Sequence, residues 1–224
     1  MARKSLLEFT DRGIYCPQGN FYIDPWKPVD DAIITHAHSD HAYQGHRHYL
    51  AHHLSKEVLL YRLGPINLQT VEYGDTLTKN GVTISLFPAG HVIGSAQIRV
   101  EYKGEVWVVS GDYKTEDDGI STPFVPVKCH SFISECTFGM PVYTWKNQAS
   151  IFNEVNNWWR YNQQHDLATV IVGYSLGKAQ RILQNLDLSI GKVYTHGVIE
   201  NTNEAIRRNG VSLNLTERIV QASP

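Results

Sequence analysis

The segment Thr35-His-Ala-His-Ser-Asp-His-Ala42 limits what this chain can be more than any other. His36, His38, Asp40 and His41 fall within six positions, directly after Asp31-Ala-Ile-Ile-Thr35, an apolar run that reads as a buried strand. Imidazoles and a carboxylate are the ligand types that suit zinc or a similar borderline divalent ion. A strand ending in such a loop fixes the backbone while the loop turns its side chains toward one point. An exposed polar turn would use the same residue types, but two later segments repeat the arrangement. Phe87-Pro-Ala-Gly-His91 puts a histidine beyond a second strand, and Val108-Val-Ser-Gly-Asp112 puts an aspartate beyond a third. One site assembled from several strand-end loops is what this recurrence requires.

The remaining pattern fits a layered α/β chain. Val82 to Phe87 alternates as a strand, Gln97–Tyr102 and Glu105–Val109 read as a hairpin turning at Lys103-Gly104, and Ser131–Ser134 is a further strand. Leu54–Leu63 reads as a helix ended by Gly64-Pro65. From about Asn147 the period lengthens. Residues 147–163 read as an amphipathic helix, Thr169–Val172 as a strand, Gly177–Leu186 as a helix, Lys192–Thr195 as a strand and Asn203–Arg208 as a helix. With 224 residues, 42% of them hydrophobic, the chain can build one substantial core or one domain and part of another. No stretch nears the roughly 18 apolar residues of a membrane span, and Glu8 interrupts the short apolar start, so no membrane partner and a cytoplasmic location are expected. Cys16, Cys129 and Cys136 are too few and too scattered for a disulfide framework or a paired-cysteine zinc knuckle. The net charge of -2 neither supports nor excludes a nucleic-acid partner.

At these residues the chain resembles the metallo-β-lactamase superfamily, whose signature is this His-x-His-x-Asp-His arrangement. Gly90-His91-Val-Ile-Gly-Ser-Ala-Gln97, Ser110-Gly-Asp112-Tyr-Lys114 and Ser134-Glu135-Cys-Thr-Phe-Gly139 resemble its nucleic-acid-processing branch, which carries an inserted β-CASP domain. Tyr174-Ser-Leu-Gly-Lys-Ala-Gln-Arg181 and Tyr194-Thr-His-Gly197 resemble the bacterial DNA-ligase-associated exonucleases. The resemblance implies a four-layer αββα sandwich over residues 1–145 and the start of a β-CASP-like α/β domain over 146–224. It implies two divalent ions, zinc or else manganese: His36, His38 and His91 on one, Asp40 and His41 on the other, and Asp112 bridging both. Asp24 would orient the histidine loop, although alone it reads as a turn residue before Pro25. Glu135 would share in catalysis with Asp40 and Asp112, although locally it could be an ordinary strand-end carboxylate. The family's later histidine motifs have no counterpart here, so a C-terminally truncated chain is expected. His196 falls in the inserted part and receives a structural or substrate-facing role rather than a metal role.

The implied activity is metal-dependent cleavage of DNA phosphodiester bonds, as an exonuclease in repair, with an ATP-dependent DNA ligase and a helicase as partners. RNA processing by the same branch, small-molecule hydrolysis, and a non-catalytic binding form are the alternatives. Lys114, Lys178 and Arg181 are the candidate phosphate contacts, with solvated helix charges as the plainer account of the last two. Trp158 and Trp159 could stack on bases, with at least one expected to pack its helix against a sheet.

Overall fold

The computed structural model describes residues 5–219. Two compact units emerge. One runs to Asp117 and resumes over Ser121–Glu135; the other takes Asp118–Ile120 and the described residues from Cys136 on. The sequence places its domain change near residue 145, whereas the units change over at Cys136.

The first unit is built on two sheets. One has six strands in chain order: β1 (Glu8–Thr10), β2 (Gly13–Cys16), β3 (Phe21–Ile23), β4 (Asp31–Ile33), β5 (His48–His52) and β6 (Leu68–Val71). The pairings from β1 to β3 are antiparallel and those from β3 to β6 parallel. The second sheet has the order β11-β10-β9-β8-β7, from β7 (Thr76–Lys79), β8 (Val82–Pro88), β9 (Ala96–Tyr102), β10 (Glu105–Val109) and β11 (Ser131–Ile133). Its neighbours are antiparallel except β10 and β11. The expected hairpin turns at Lys103 and Gly104, both at positive φ (50° and 79°), the backbone a two-residue turn of this kind needs.

Alternation places the core. Val82, Ile84 and Leu86 of β8 and Ile98 and Val100 of β9 pack in one cluster with Phe21, Ile23 and Ile33 of the first sheet, and Leu6 and Leu7 join them. Each such side chain contributes about 1.5–3 kcal/mol when fully buried. A 3₁₀ turn, His53–Ser55, leads into α1 (Lys56–Leu63), which buries Val58, Leu59 and Leu63 and ends as Gly64 N–H bonds to the Leu60 carbonyl. The result is a mixed α/β sandwich of the metallo-β-lactamase kind, the class expected from the sequence.

The second unit contains α2 (Gln148–Gln164), α3 (Lys178–Asn185), α4 (Gly197–Arg208) and two short parallel strands, β12 (Tyr194–Thr195) and β13 (Glu217–Arg218). Helix α2 buries Phe152, Trp159 and Asn162 and leaves Trp158 about half exposed, so Trp159 is the packing tryptophan. Two expectations fail. Thr169–Val172 is not a strand: no neighbouring strand pairs with it among the described residues, and Val170 and Val172 stand exposed. Helix α4 starts at Gly197, not Asn203, because His196 caps it by accepting the Val198 N–H at Nδ1 (3.3 Å). Its buried face is partly polar. Glu200 accepts hydrogen bonds from Thr195 (2.9 Å), Thr216 (2.6 Å) and Arg207 (2.8 Å), which is why an apolar period did not reveal the first turns. Burial opposes the Glu200 charge, but these three donors outweigh it and hold its carboxyl below the usual range.

Candidate metal centre

The loop after β4 and the loops after β8, β10 and β11 meet at one end of the first unit. Four donors form one group: His36, His38, His91 and Asp112. His36 Nε2 lies 3.0 Å from His38 Nδ1, and His91 Nε2 lies 3.2 Å from the same atom. Asp112 Oδ2 is 3.3 Å from His91 Nε2 and 3.8 Å from His36 Nε2. A tetrahedral zinc with bonds of 2.0–2.1 Å needs donors about 3.3–3.4 Å apart, so these residues fit such an ion with small adjustments. His36 is wholly buried. Burial, reinforced by His41, His38 and His91, pushes its pKa well down and keeps it in the neutral form that ligates.

A second group joins His41, Asp112 and Glu135. His41 Nε2 is 3.5 Å from Glu135 Oε2 and 3.8 Å from Asp112 Oδ1. Asp112 therefore belongs to both groups, one carboxylate oxygen facing each. Burial disfavours charge on His41, but the hydrogen bond that its Nδ1–H donates to Asp24 and the carboxylates of Asp24, Asp112 and Asp40 outweigh it and lift the imidazole to about 9. Burial and the neighbouring Asp112 carboxylate raise the pKa of Glu135. Carboxylates pressed together in this way call for a cation between them.

Asp24 organises the first loop. It sits at φ 43° and receives the Thr35 N–H on Oδ1 (2.8 Å). Its Oδ2 receives the Thr35 hydroxyl (2.6 Å) and contacts His41 Nδ1 (2.7 Å). With Nδ1 turned to a carboxylate, His41 Nε2 is the nitrogen left for an ion. Arg62 of α1, which sequence reading missed, donates to the Ala37 carbonyl inside the same loop. No local motif marks it; only the packing of α1 brings it there.

The other candidates are placed differently. Asp40, expected on the second ion, lies outside both groups: its side chain is 70% exposed, with Oδ2 3.9 Å from His41 Nε2. Glu135, expected as a catalytic carboxylate, stands among the donors themselves. Lys114 donates to the Glu116 carbonyl (2.8 Å). In the second unit, Lys178 lies over the Tyr174 ring (5.1 Å) and Arg181 Nε donates to Gln148 (2.7 Å), so both have structural partners.

No family model matches the sequence. A protein of Opitutus terrae named Probable DNA ligase is 33% identical over 190 residues, 82% of this chain and 18% of that protein. The Dictyostelium discoideum Cleavage and polyadenylation specificity factor subunit 3 is 29% identical over 126 residues, 54% of this chain and 16% of that protein. Endoribonuclease YSH1 of Saccharomyces cerevisiae is 30% identical over 134 residues, 54% of this chain and 15% of that protein. Among solved structures, a protein of unknown function from Enterococcus faecalis V583 superimposes with a TM-score of 0.55 at 12% identity, over 81% of this chain and 49% of that one. This is a metallo-hydrolase-like fold with endoribonuclease homologues. The chain spans under a fifth of the curated relatives it matches and about half of the solved structure. In this metallo-hydrolase-like unit, the two His/carboxylate groups have the composition of a binuclear metal-dependent hydrolase site.

Proposed function

We propose that this chain carries the metal-binding core of a two-metal nuclease of the β-CASP branch, acting on RNA. The observation that carries the reading is Asp112, the one carboxylate shared by the His36–His38–His91 group and the His41–Glu135 group. Ions bound there, zinc or manganese by donor type, would supply Lewis acidity to a phosphodiester and lower the pKa of a water. The residues themselves do the rest. His36, His38 and His91 present ring nitrogens, that of His36 held neutral by burial, and Asp112 sets the spacing of the two positions. Asp24 orients His41. Glu135 stands beside His41 and Asp112, where one carboxylate oxygen would help hold the second ion and the other would take a proton from the attacking water.

RNA is favoured because several relatives are named endoribonucleases. A second reading, DNA cleavage alongside an ATP-dependent ligase and a helicase, is favoured by the longest of these alignments, that with the ligase-named relative. The test is cleavage of end-labelled RNA, single-stranded DNA and duplex DNA with zinc or manganese added, beside Asp112→Ala. Loss of RNA cleavage in that variant supports the first reading, and shortening of DNA alone supports the second. Two ions bound with neither polymer cut would sink both.

A further inference from the structure

His91 stands in the loop Ala89–Ser95 between β8 and β9, and the loop's own bonds give it shape. Ser95 Oγ accepts the N–H groups of His91 (3.1 Å) and Val92 (3.2 Å), and the Ser95 carbonyl accepts the Ala89 N–H (3.0 Å). Those bonds are internal; at the loop's ends the Ala96 N–H donates to the Thr35 carbonyl (2.8 Å) and the Lys114 N–H to the Ala89 carbonyl (2.9 Å), backbone ties that leave the Gly94 and Ser95 carbonyls to other partners. Two side chains from outside the second sheet reach it. Tyr73, just past β6, donates its hydroxyl to the Ser95 carbonyl at 2.9 Å. Ser55, directly before α1, donates Oγ to the Gly94 carbonyl at 2.9 Å. Gly94 has φ +79°, and a Cβ there would lie 2.4 Å from Ser55 Oγ, an approach only glycine permits.

Tyr73 is itself held. Its ring stacks on His52 with centroids 3.5 Å apart and planes 13° from parallel. His52, at the end of β5, is buried, and its Nδ1 accepts the Leu54 N–H (3.2 Å). Burial pushes its pKa down to about 4, so a neutral ring lies against the phenol at neutral pH. The same short stretch, His52–Ser55, thus supports Tyr73 and supplies the Ser55 hydroxyl.

We propose that Tyr73 and Ser55 are positioning residues for the metal centre, holding the Gly94–Ser95 end of the loop so that His91 meets His36 and His38. The inference rests on the two-metal reading above. His91 Nε2 is 3.2 Å from His38 Nδ1 and 3.3 Å from Asp112 Oδ2, close to a tetrahedral edge, so a small shift of the loop would spoil the set. Outer groups that orient a ligand typically change metal affinity by about 10–100-fold.

The experiment compares the wild-type 224-residue chain with Tyr73→Phe and Ser55→Ala. It measures zinc affinity against a competing chelator, the visible spectrum of the cobalt-substituted protein, and Tm. Each variant should bind zinc at the His36–His38–His91 group about tenfold more weakly and alter the cobalt bands. A lowered Tm with unchanged zinc affinity and an unchanged cobalt spectrum would mean ordinary packing and overturn the inference. Should Tyr73→Phe not fold, Ser55→Ala carries the same test. Wild-type protein that takes up no zinc would instead overturn the two-metal reading, a failure seen before any variant is compared.

Discussion

Replacing Asp24 by Asn probes the metal centre through one atom. The backbone at φ 43° tolerates asparagine nearly as well as aspartate, and the side chains are the same size. The amide oxygen can still accept the Thr35 N–H in place of Oδ1. The amide nitrogen then stands where Oδ2 met the Thr35 hydroxyl (2.6 Å) and His41 Nδ1 (2.7 Å). A donor there turns His41 Nδ1 into an acceptor and moves the proton to Nε2, the nitrogen that faces Asp112 and Glu135. An imidazole protonated on that atom cannot ligate. Outer-group losses of this kind weaken metal binding about 10–100-fold, or about 1.4–2.7 kcal/mol. Zinc titration should show the His36–His38–His91 site intact and the His41–Asp112–Glu135 site weakened by that factor. In metal-free protein, His41 should fall from about 9, since the hydrogen bond and charge of Asp24 are lost while burial still disfavours the cation, and imidazole NMR signals followed with pH would report it. Unchanged affinity at both sites would refute the claim that Asp24 sets the His41 tautomer.

Three other outcomes are expected. His52 has a folded-state pKa of about 4 against 6.5 unfolded, so the unfolded chain binds its proton first and the stability it contributes is present above pH 6.5 and lost as pH falls toward 4. Full loss amounts to ~3 kcal/mol, and urea unfolding at several pH values should show a smaller acid loss in His52→Phe than in wild type. Glu200→Gln removes the charge that Thr195, Thr216 and Arg207 share, and should cost the second unit about 2–3 kcal/mol in chemical denaturation while zinc stoichiometry stays unchanged. Chelation should lower Tm: an ion at 100 times its Kd stabilises by about 2.7 kcal/mol per site, and a Tm indifferent to chelator would count against bound metal.

The sequence revealed most where ligands are close along the chain. His36, His38 and His41 share one loop, and β8, β9 and β10 are long enough to show their alternation. The short strands of the first sheet, such as Glu8–Thr10, give a period of two no room to appear. Glu135 reaches His41 only because β11 pairs in parallel with β10, setting Val109 beside Ile133, and no local spacing encodes that register. Asp24 likewise acts across a turn, through contacts with Thr35 and His41. Thr169–Val172 shows the reverse case: an apolar run has the composition of a strand, but a strand exists only with a partner. Buried Glu200, Thr202 and Asn203 hid the start of α4 from any search for apolar periodicity.

The donors of the metal centre are divided between the two sheets. His36, His38 and His41 leave the first sheet at β4, whereas His91, Asp112 and Glu135 leave the second at β8, β10 and β11. An ion seated among them is therefore a cross-link, tying distant stretches of chain as a disulfide would but releasable by a chelator or by acid. Its binding energy becomes energy of sheet-to-sheet attachment. The stability of the folded unit would then follow the free metal around it, and scarcity would be felt as loosening of the two sheets where these loops meet.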